Sequence, residues 1–416
     1  PHLYRPYVEA VRSAARNVPV LSVLGRVTSM ADAEAAIASG VCDMVGSARQ
    51  LIAEPRFVQN ARHGHEQRSR TCIACNWCMA AGAENALGCA INPASYRERL
   101  WGVATLTKAG RACRVVVVGG GPAGLEAARV AALRGHEVVL FEQRQELGGA
   151  LRLWSTLPGR GTYGAAIDWW AAELDRLGVE IRLGVEADEA AVLAERPDAV
   201  IVATGARYSR GGRSFTFDAD LPGHDLPHVL RPEDVLVHGQ VPTGRVLVLD
   251  AEGLHTGVGI AELLATRGAT VTLVSPNFSP VSTRLVENFE VRFIMQRLHA
   301  AGVTFIPSTW AIAVNDGDVR LYDVYTADER VITVDSVVLA GGRVPHDRIA
   351  RRLAGRVTQL YTVGDAMSAR MLAAATYEGH KFARVIGVDG APRSVGEAYF
   401  QRDPAEYAMA VAGSRR

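Results

Sequence analysis

Short apolar runs that end in glycine alternate along this chain with longer stretches whose apolar residues recur every three to four positions. That order, strand then helix repeated, predicts a parallel α/β structure. Residues 6–16 read as a helix with Val8, Val11 and Ala15 on one face. Residues 18–23 read as a strand ending at Gly25-Arg26, and 30–39 as an alanine-rich helix stopped by Gly40. A strand over 42–45 runs into Gly46-Ser47-Ala48-Arg49, and 54–62 reads as a closing helix. Two parallel strands cannot bury both faces of a sheet, so this piece is expected to need partner strands. The pattern resumes at 114–118 (RVVVV), with a helix over 125–133 and a strand over 137–141. Strands at 199–202 and 360–363 and a helix over 371–386 are assigned to the same unit. A second unit of the same build has a strand at 245–249, a helix at 260–266 and a strand at 270–274. Residues 208–240, with several prolines and glycines, read as a loop-rich crossing between the two.

Composition narrows the classes. A length of 416 residues predicts two to three domains. The 48% hydrophobic and 21% charged content is that of an ordinary globular protein. A net charge of +1 gives no basic field for nucleic acid or an anionic membrane. No apolar run approaches the roughly 20 residues of a membrane helix, and the first residues carry no apolar signal core. The chain starts without Met, which fits a processed, truncated or partial chain. Six cysteines, four of them in one motif, suggest a reducing, cytoplasmic location rather than a disulfide scaffold. Cys42 and Cys113, beside apolar strands, read as buried small hydrophobes.

The four remaining cysteines are Cys72, Cys75, Cys78 and Cys89, spaced C-x2-C-x2-C-x10-C. Three closely spaced thiolates and a fourth from a loop can ligate a [4Fe-4S] cluster. A zinc site would ordinarily pair two C-x2-C hairpins or add histidines, and no His stands between Cys72 and Cys89. Zinc and free core thiols are the competing readings, and the spacing favours the cluster.

The first strand–helix unit carries Gly119-Gly120-Gly121-Pro122-Ala123-Gly124, with Glu142 at the end of the next strand. Strand before, helix after and an acid about 20 residues on make G-x-G-x-x-G informative. Gly119 suits the tight turn, Gly121 the approach of a pyrophosphate, and Gly124 the packing of helix on strand. The pyrophosphate is expected at the helix N-terminus and the adenosine ribose at Glu142. In the second unit Asp250 replaces the leading glycine, the loop is two residues longer, and Gly257 corresponds to Gly124. Asp250 and Glu252 are expected to place negative charge where a pyrophosphate would rest, and the next strand ends at Ser275 with no acid. A nicotinamide site is therefore expected to be degenerate here. Trp154, Trp169 and Trp170 read as packing residues.

CDMVGSARQLIAEPRF before the cysteines, INPASYRERLWG after them and RVVVVGGGPAG beyond stand in an order that resembles the iron–sulfur flavoproteins of the trimethylamine dehydrogenase and 2,4-dienoyl-CoA reductase family. The resemblance covers nearly the whole chain. It implies an α/β fold: the C-terminal part of a TIM barrel over 1–64, a cluster segment over 65–110, and two Rossmann-like domains. The first, for FAD or ADP, takes 111–207 and 338–386; the second, NAD(P)-binding-like, takes 241–337; 387–416 form a tail. The resemblance favours an FMN phosphate on Gly25, Arg26, Gly46, Ala48 and Arg49, over two ordinary tight turns. Gln50 departs from the family's usual Pro and is expected to alter loop rigidity more than chemistry. Gly149, Gly364 and Asp365 match dinucleotide-contacting positions, although Asp365 reads equally as a helix N-cap. The substrate-polarising Tyr and His of the family lie on barrel strands that would precede Pro1, so no catalytic residue is assigned. IVATGARYS and YTVGDAMSARMLAAATYEGHKFARVI read like the amine-dehydrogenase branch. The implied function is oxidation of an N-methylated amine, with electrons leaving FMN through the cluster to an electron-transferring flavoprotein or similar acceptor. The alternatives are an NAD(P)H-dependent enoate or dienoyl-CoA reductase, and an electron-transfer subunit of a split enzyme whose barrel is a separate subunit or comes from a homo-oligomer.

Overall fold

The computed structural model describes residues 4–80, 88–214, 217–282 and 289–395. Residues 396–416, most of the expected tail, lie outside them, as do 81–87 between Cys78 and Cys89. No described helix is long and apolar enough to cross a membrane.

Two five-stranded parallel sheets carry the body. The first has the order Gln359–Thr362, Ala199–Val202, Arg114–Val118, Glu137–Glu142, Glu180–Leu183. Its three central strands, Ala199–Val202, Arg114–Val118 and Glu137–Glu142, are apolar at nearly every position because both faces are covered. Val115, Val117, Leu140 and Ile201 face one side and pack with Ala127, Val130, Trp170 and Phe382. Val116, Val118, Val139 and Val200 face the other and pack with Val192, Ala350 and Leu353. The side-chain period of two assigns them this way.

The second sheet has the order Thr304–Ile306, Thr270–Val274, Arg245–Asp250, Ser336–Ala340, Val229–Leu230. Val246 and Val248 pack on Ile260, Leu264, Ile294 and Leu298. Leu247 and Leu249 pack on Trp310, Val319 and Leu321. Those three belong to an antiparallel sheet, Thr309–Val314, Asp318–Asp323 and Glu329–Thr333, which the reading of the sequence missed. Its signal was present: Val319 and Leu321 are buried while Arg320 between them is exposed.

Several expected boundaries move. The closing helix expected over 54–62 is only Phe57–Arg62, and a separate short helix, Ala48–Ala53, precedes it. Pro55 causes the break, since it disfavours helical backbone at the preceding residue, and Glu54 is extended at φ −141° and ψ 96°. The second unit's helix starts at His255 rather than 260. The crossing over 208–240 is less irregular than expected: Val229–Leu230 joins the second sheet and Pro232–Leu236 is helical. Ala206–Tyr208 pairs antiparallel with Arg343–Pro345, so the outgoing and returning chains bond to each other between the two units.

At the N-terminus the strands are the two-residue pieces Leu21–Ser22 and Met44–Val45, parallel and in register. Helices Arg5–Ala14 and Met30–Ala38 flank them. Val20, Leu24, Val27, Ala33, Ala36 and Val41 form a small core. Leu21, Val23 and Met44 are exposed.

Two helices of the first unit, Pro122–Leu133 and Leu372–Val385, lie against each other around Gly379. A Cβ at that position would stand 2.2 Å from the Ala123 carbonyl oxygen. Gly379→Ala should therefore lower the melting temperature. The helix-propensity gain of about 1 kcal/mol is outweighed by an overpacking cost of about 1–3 kcal/mol. Thermal unfolding followed by circular dichroism checks the sign; a variant at least as stable as the parent would refute the contact.

Candidate functional site

The first glycine loop sits where the strand Arg114–Val118 meets the helix Pro122–Leu133. Gly119 has φ +110°, and a Cβ there would lie 2.4 Å from the Ala203 carbonyl oxygen. The position therefore requires glycine on both counts. Gly121 is the N-cap residue with Pro122 at the first helical position. Its outer side is open, the nearest atom to a Cβ there being Gly149 Cα at 4.0 Å. Helix amides and dipole face that opening, the arrangement that receives an anion. Glu142 is buried at the end of its strand and accepts hydrogen bonds from Gly120 N at 2.7 Å and Arg144 N at 2.8 Å.

A cavity of about 670 Å³ opens from this loop. The structure brings Gly119, Gly121, Ala123, Glu142, Gly149 and Asp365 to its wall. Gly124 and Gly364 pack behind that wall, against Gly119 and Ala123 respectively. Sequence reasoning missed Trp154, Arg343, Met371 and Leu372, which line the same cavity. No motif marks them, because they converge from distant parts of the chain. Trp154 makes a bond to the second unit, Nε1 donating to Thr256 Oγ1 at 3.1 Å.

Arg343 is 8% exposed and joins the two units. Its Nη1 donates to Asp365 Oδ2 at 2.6 Å and its Nε to Glu252 Oε1 at 2.8 Å. Asp365 Oδ1 accepts from Arg370 N at 2.9 Å. Asp365 therefore does not cap a helix of its own; it is held by Arg343 at the cavity edge.

The cysteine segment curls through two left-handed residues, Ala74 at φ +59° and Asn76 at φ +52°. Positive φ at a non-glycine residue such as Ala74 is uncommon and marks a backbone held by its surroundings. Burial raises the Cys75 thiol strongly, and neighbouring Cys89, Cys72 and Cys78 raise it further. Burial also pushes Cys89 up to about 11, against the amides of Ile91 and Asn92, which bond its sulfur. Cys78 is raised by burial and by Cys72. Burial and neighbouring cysteines thus disfavour free thiolates at Cys75, Cys78 and Cys89, and among the described residues no three Cys, His, Asp or Glu side chains converge as a single-ion site requires.

Of the phosphate-loop residues, Gly25 has φ +93°, and Gly46 N donates to Ser22 O at 2.9 Å. Arg26 is half-buried and Ala48 opens the short helix Ala48–Ala53. The Arg49 guanidinium donates to Gly25 O at 2.8 Å and to Asn76 Oδ1 at 3.1 Å. It lies between the expected phosphate loop and the cysteine loop.

Residues 113–365 match the family model described as pyridine nucleotide-disulphide oxidoreductase. The chain belongs to that family. It is 36% identical over 394 residues to a bilirubin reductase of Mediterraneibacter gnavus, covering 91% of this chain and 57% of that protein. A probable N-methylproline demethylase of Rhizobium meliloti is 30% identical over 402 residues, 90% of this chain and 58% of that one. The solved structure of 6-hydroxypseudooxynicotine amine oxidase from Pseudomonas geniculata superposes with a TM-score of 0.87 at 30% identity, over 92% of this chain and 59% of that one. The resemblance to flavoprotein amine dehydrogenases and the parallel α/β fold implied by it hold. The chain spans somewhat more than half the length of these relatives.

Membership of this oxidoreductase family implies a flavin, and the first loop has the build for a dinucleotide. The second loop does not. Asp250 is 1% exposed. Its Oδ1 accepts from Glu252 N at 2.9 Å and Gly253 N at 3.1 Å. Those are loop amides of the kind that would otherwise meet a pyrophosphate. Glu252 is taken by Arg343 and by Tyr208, whose hydroxyl donates to Oε2 at 2.9 Å. The expectation of two carboxylates facing a ligand is therefore corrected: both turn inward, and Asp250 itself takes the anion's place on the loop.

Burial, with Glu252 nearby, pushes Asp250 up to about 7 from an ordinary 3.8. A carboxyl whose folded-state pKa is raised binds its proton more tightly when folded. Its ionisation costs nothing below about pH 4, a growing amount up to about pH 7 and the full amount above, up to about 4 kcal/mol. Asp250→Asn keeps an acceptor for the two amides. Its stability relative to the parent should rise steadily from pH 4 to pH 8. Melting temperatures of both proteins across that range decide it; a constant difference would show that Asp250 is ionised throughout.

Proposed function

We propose that this chain is the cluster- and dinucleotide-binding part of an iron–sulfur flavoprotein that dehydrogenates an N-methylated amine and passes the electrons to an external acceptor. The observation that carries this reading is a shared wall. Trp154, Met371 and Leu372 line the dinucleotide cavity and also a small cavity bounded by Cys75, Tyr163 and His255. A ligand filling the large cavity from Glu142 to Trp154 ends against the cysteine site. That favours FAD over ADP, which lacks the second half. The donor set favours iron over zinc. Four cysteines spaced C-x2-C-x2-C-x10-C with no histidine among them suit a [4Fe-4S] cluster, which takes each thiolate on a different iron.

When bound, the flavins exchange electron pairs and the cluster single electrons. The residues of this chain supply a buried thiolate set, a dinucleotide cradle and a packed aromatic wall between them. Gly25, Arg26, Gly46, Ala48 and Arg49 are proposed to hold an FMN phosphate once further strands complete the barrel. These strands would belong to the same polypeptide, a second copy or a separate subunit. The proposed domains are 1–64, 65–110, 111–207 with 341–386, and 229–340, because Val229–Leu230 and Ser336–Ala340 pair in the second sheet. An electron-transferring flavoprotein fits as acceptor, because Asp250 occupies the loop that a nicotinamide dinucleotide would need. The 36% identity to a bilirubin reductase favours the opposite direction, reduction of the substrate.

Anaerobically purified protein should contain about four irons per chain; stoichiometric zinc without iron would sink the cluster. Gly121→Glu places a carboxylate in the open side of the first loop, against the bound pyrophosphate. That variant should lose its dinucleotide while keeping its iron, and extraction with chromatography identifies what the parent carries. NADH and NADPH should leave the flavin of the complete enzyme oxidised in anaerobic stopped-flow mixing. Rapid, saturable bleaching by either nucleotide would move the protein to the reductase reading.

A further inference from the structure

The short helix Ala48–Ala53 touches the cysteine segment at three places. Arg49 donates to Asn76, between Cys75 and Cys78. The Ile52 carbonyl accepts from Asn92 Nδ2 at 3.0 Å, just beyond Cys89. Between these, Gln50 makes the tightest grip. Its Nε2 donates to Arg70 O at 2.6 Å, and its Oε1 accepts from Cys72 N at 2.8 Å. Gln50 is 1% exposed, so neither bond competes with water. One side-chain amide thus bonds the carbonyl and the N–H that flank Thr71, the contact that one residue of a neighbouring parallel strand would make. Only an amide of this length offers a donor and an acceptor at that reach. Proline, leucine and glutamate each lack one or both.

Backbone N–H groups directed at cluster sulfurs are one of the levers on reduction potential. The Cys72 N–H is not available as such a donor, because Gln50 holds it. We propose that Gln50 is a positioning residue of the cysteine site: its side-chain amide fixes Cys72 to the phosphate-loop helix and withholds the Cys72 N–H from the sulfurs, keeping the cluster's reduction potential low. This rests on the cluster reading above. It also revises the expectation that Gln50 affects loop rigidity more than chemistry.

Gln50→Leu and Gln50→Glu separate this role from simple packing, in the full chain purified anaerobically. In Gln50→Leu the buried Cys72 N–H is released. It can be satisfied by a sulfur or by entering water, and both favour the reduced, more negative cluster. The midpoint in an EPR-monitored redox titration should rise, and the g-values of the reduced cluster should change. In Gln50→Glu an acceptor still holds the Cys72 N–H, so the midpoint should stay at the parent value or fall. Midpoints that rise in both variants, or in neither, with full iron content would overturn the proposal. Loss of iron from Gln50→Leu with the dinucleotide retained supports it, since only the cysteine site then depends on the amide. If that variant loses both, the Gln50→Glu midpoint decides alone, a rise overturning the proposal. A parent chain without iron would overturn the cluster reading itself, whatever the variants do.

Discussion

One buried charge holds the first unit together. Glu126 is 0% exposed, on the helix that begins at the glycine loop. Burial alone would raise its pKa, but Arg129 and then His380 hold it well below the usual carboxylate range. Arg129 bonds both its oxygens, at 2.6 and 2.9 Å. Trp170 Nε1 donates to Oε2 at 2.9 Å, and a His380 ring nitrogen lies 2.8 Å from Oε1. These partners come from three helices. Removing one partner of a buried ion pair leaves an uncompensated charge, which costs about 3–5 kcal/mol. The helices therefore have one mutual arrangement, and the two sites hang on it.

The helix Leu372–Val385 shows how. It packs on the loop helix through Gly379 and on the cysteine segment through Thr376, whose hydroxyl donates to Ala90 O at 2.8 Å. Arg384 on the same helix donates to the carbonyls of Leu100 and Thr105. Trp169, beside Trp170, donates to the Arg68 carbonyl at 3.0 Å. The cysteine segment is thus bracketed by the first unit on one side and by the helix Ala48–Ala53 on the other. The position of the cysteine segment relative to the dinucleotide cavity is therefore set by packed side chains.

The second unit keeps the fold and gives up the loop. Gly257 still stands where Gly124 stands in the first unit, but against the Asp250 side chain instead of a glycine backbone. With loop amides bonded to Asp250 and Glu252 bonded to Arg343, the loop has become part of the joint between the units. Arg160 and Glu290, at 2.7 Å, add a further largely buried ion pair across the same joint.

The elements that the sequence determines by itself are those whose partners are local. RVVVV, RVLVL, the glycine loop and Glu142 are legible because strand period, turn and helix start are short-range requirements. The spacing of Cys72, Cys75 and Cys78 is legible for the same reason. The antiparallel sheet over 309–333 escaped because its alternation is brief and its burial depends on Leu247 and Leu249, some 70 residues earlier. Tertiary structure alone decided where the charges went. Asp250 and Glu252 read as ligand-facing because a sequence shows a carboxylate but not the amide or guanidinium that neutralises it. Arg343 is 91 residues from Glu252, and Gln50 is 22 from Cys72. No periodicity connects such pairs; they meet because burying a polar group without a partner is costlier than bringing a distant one to it.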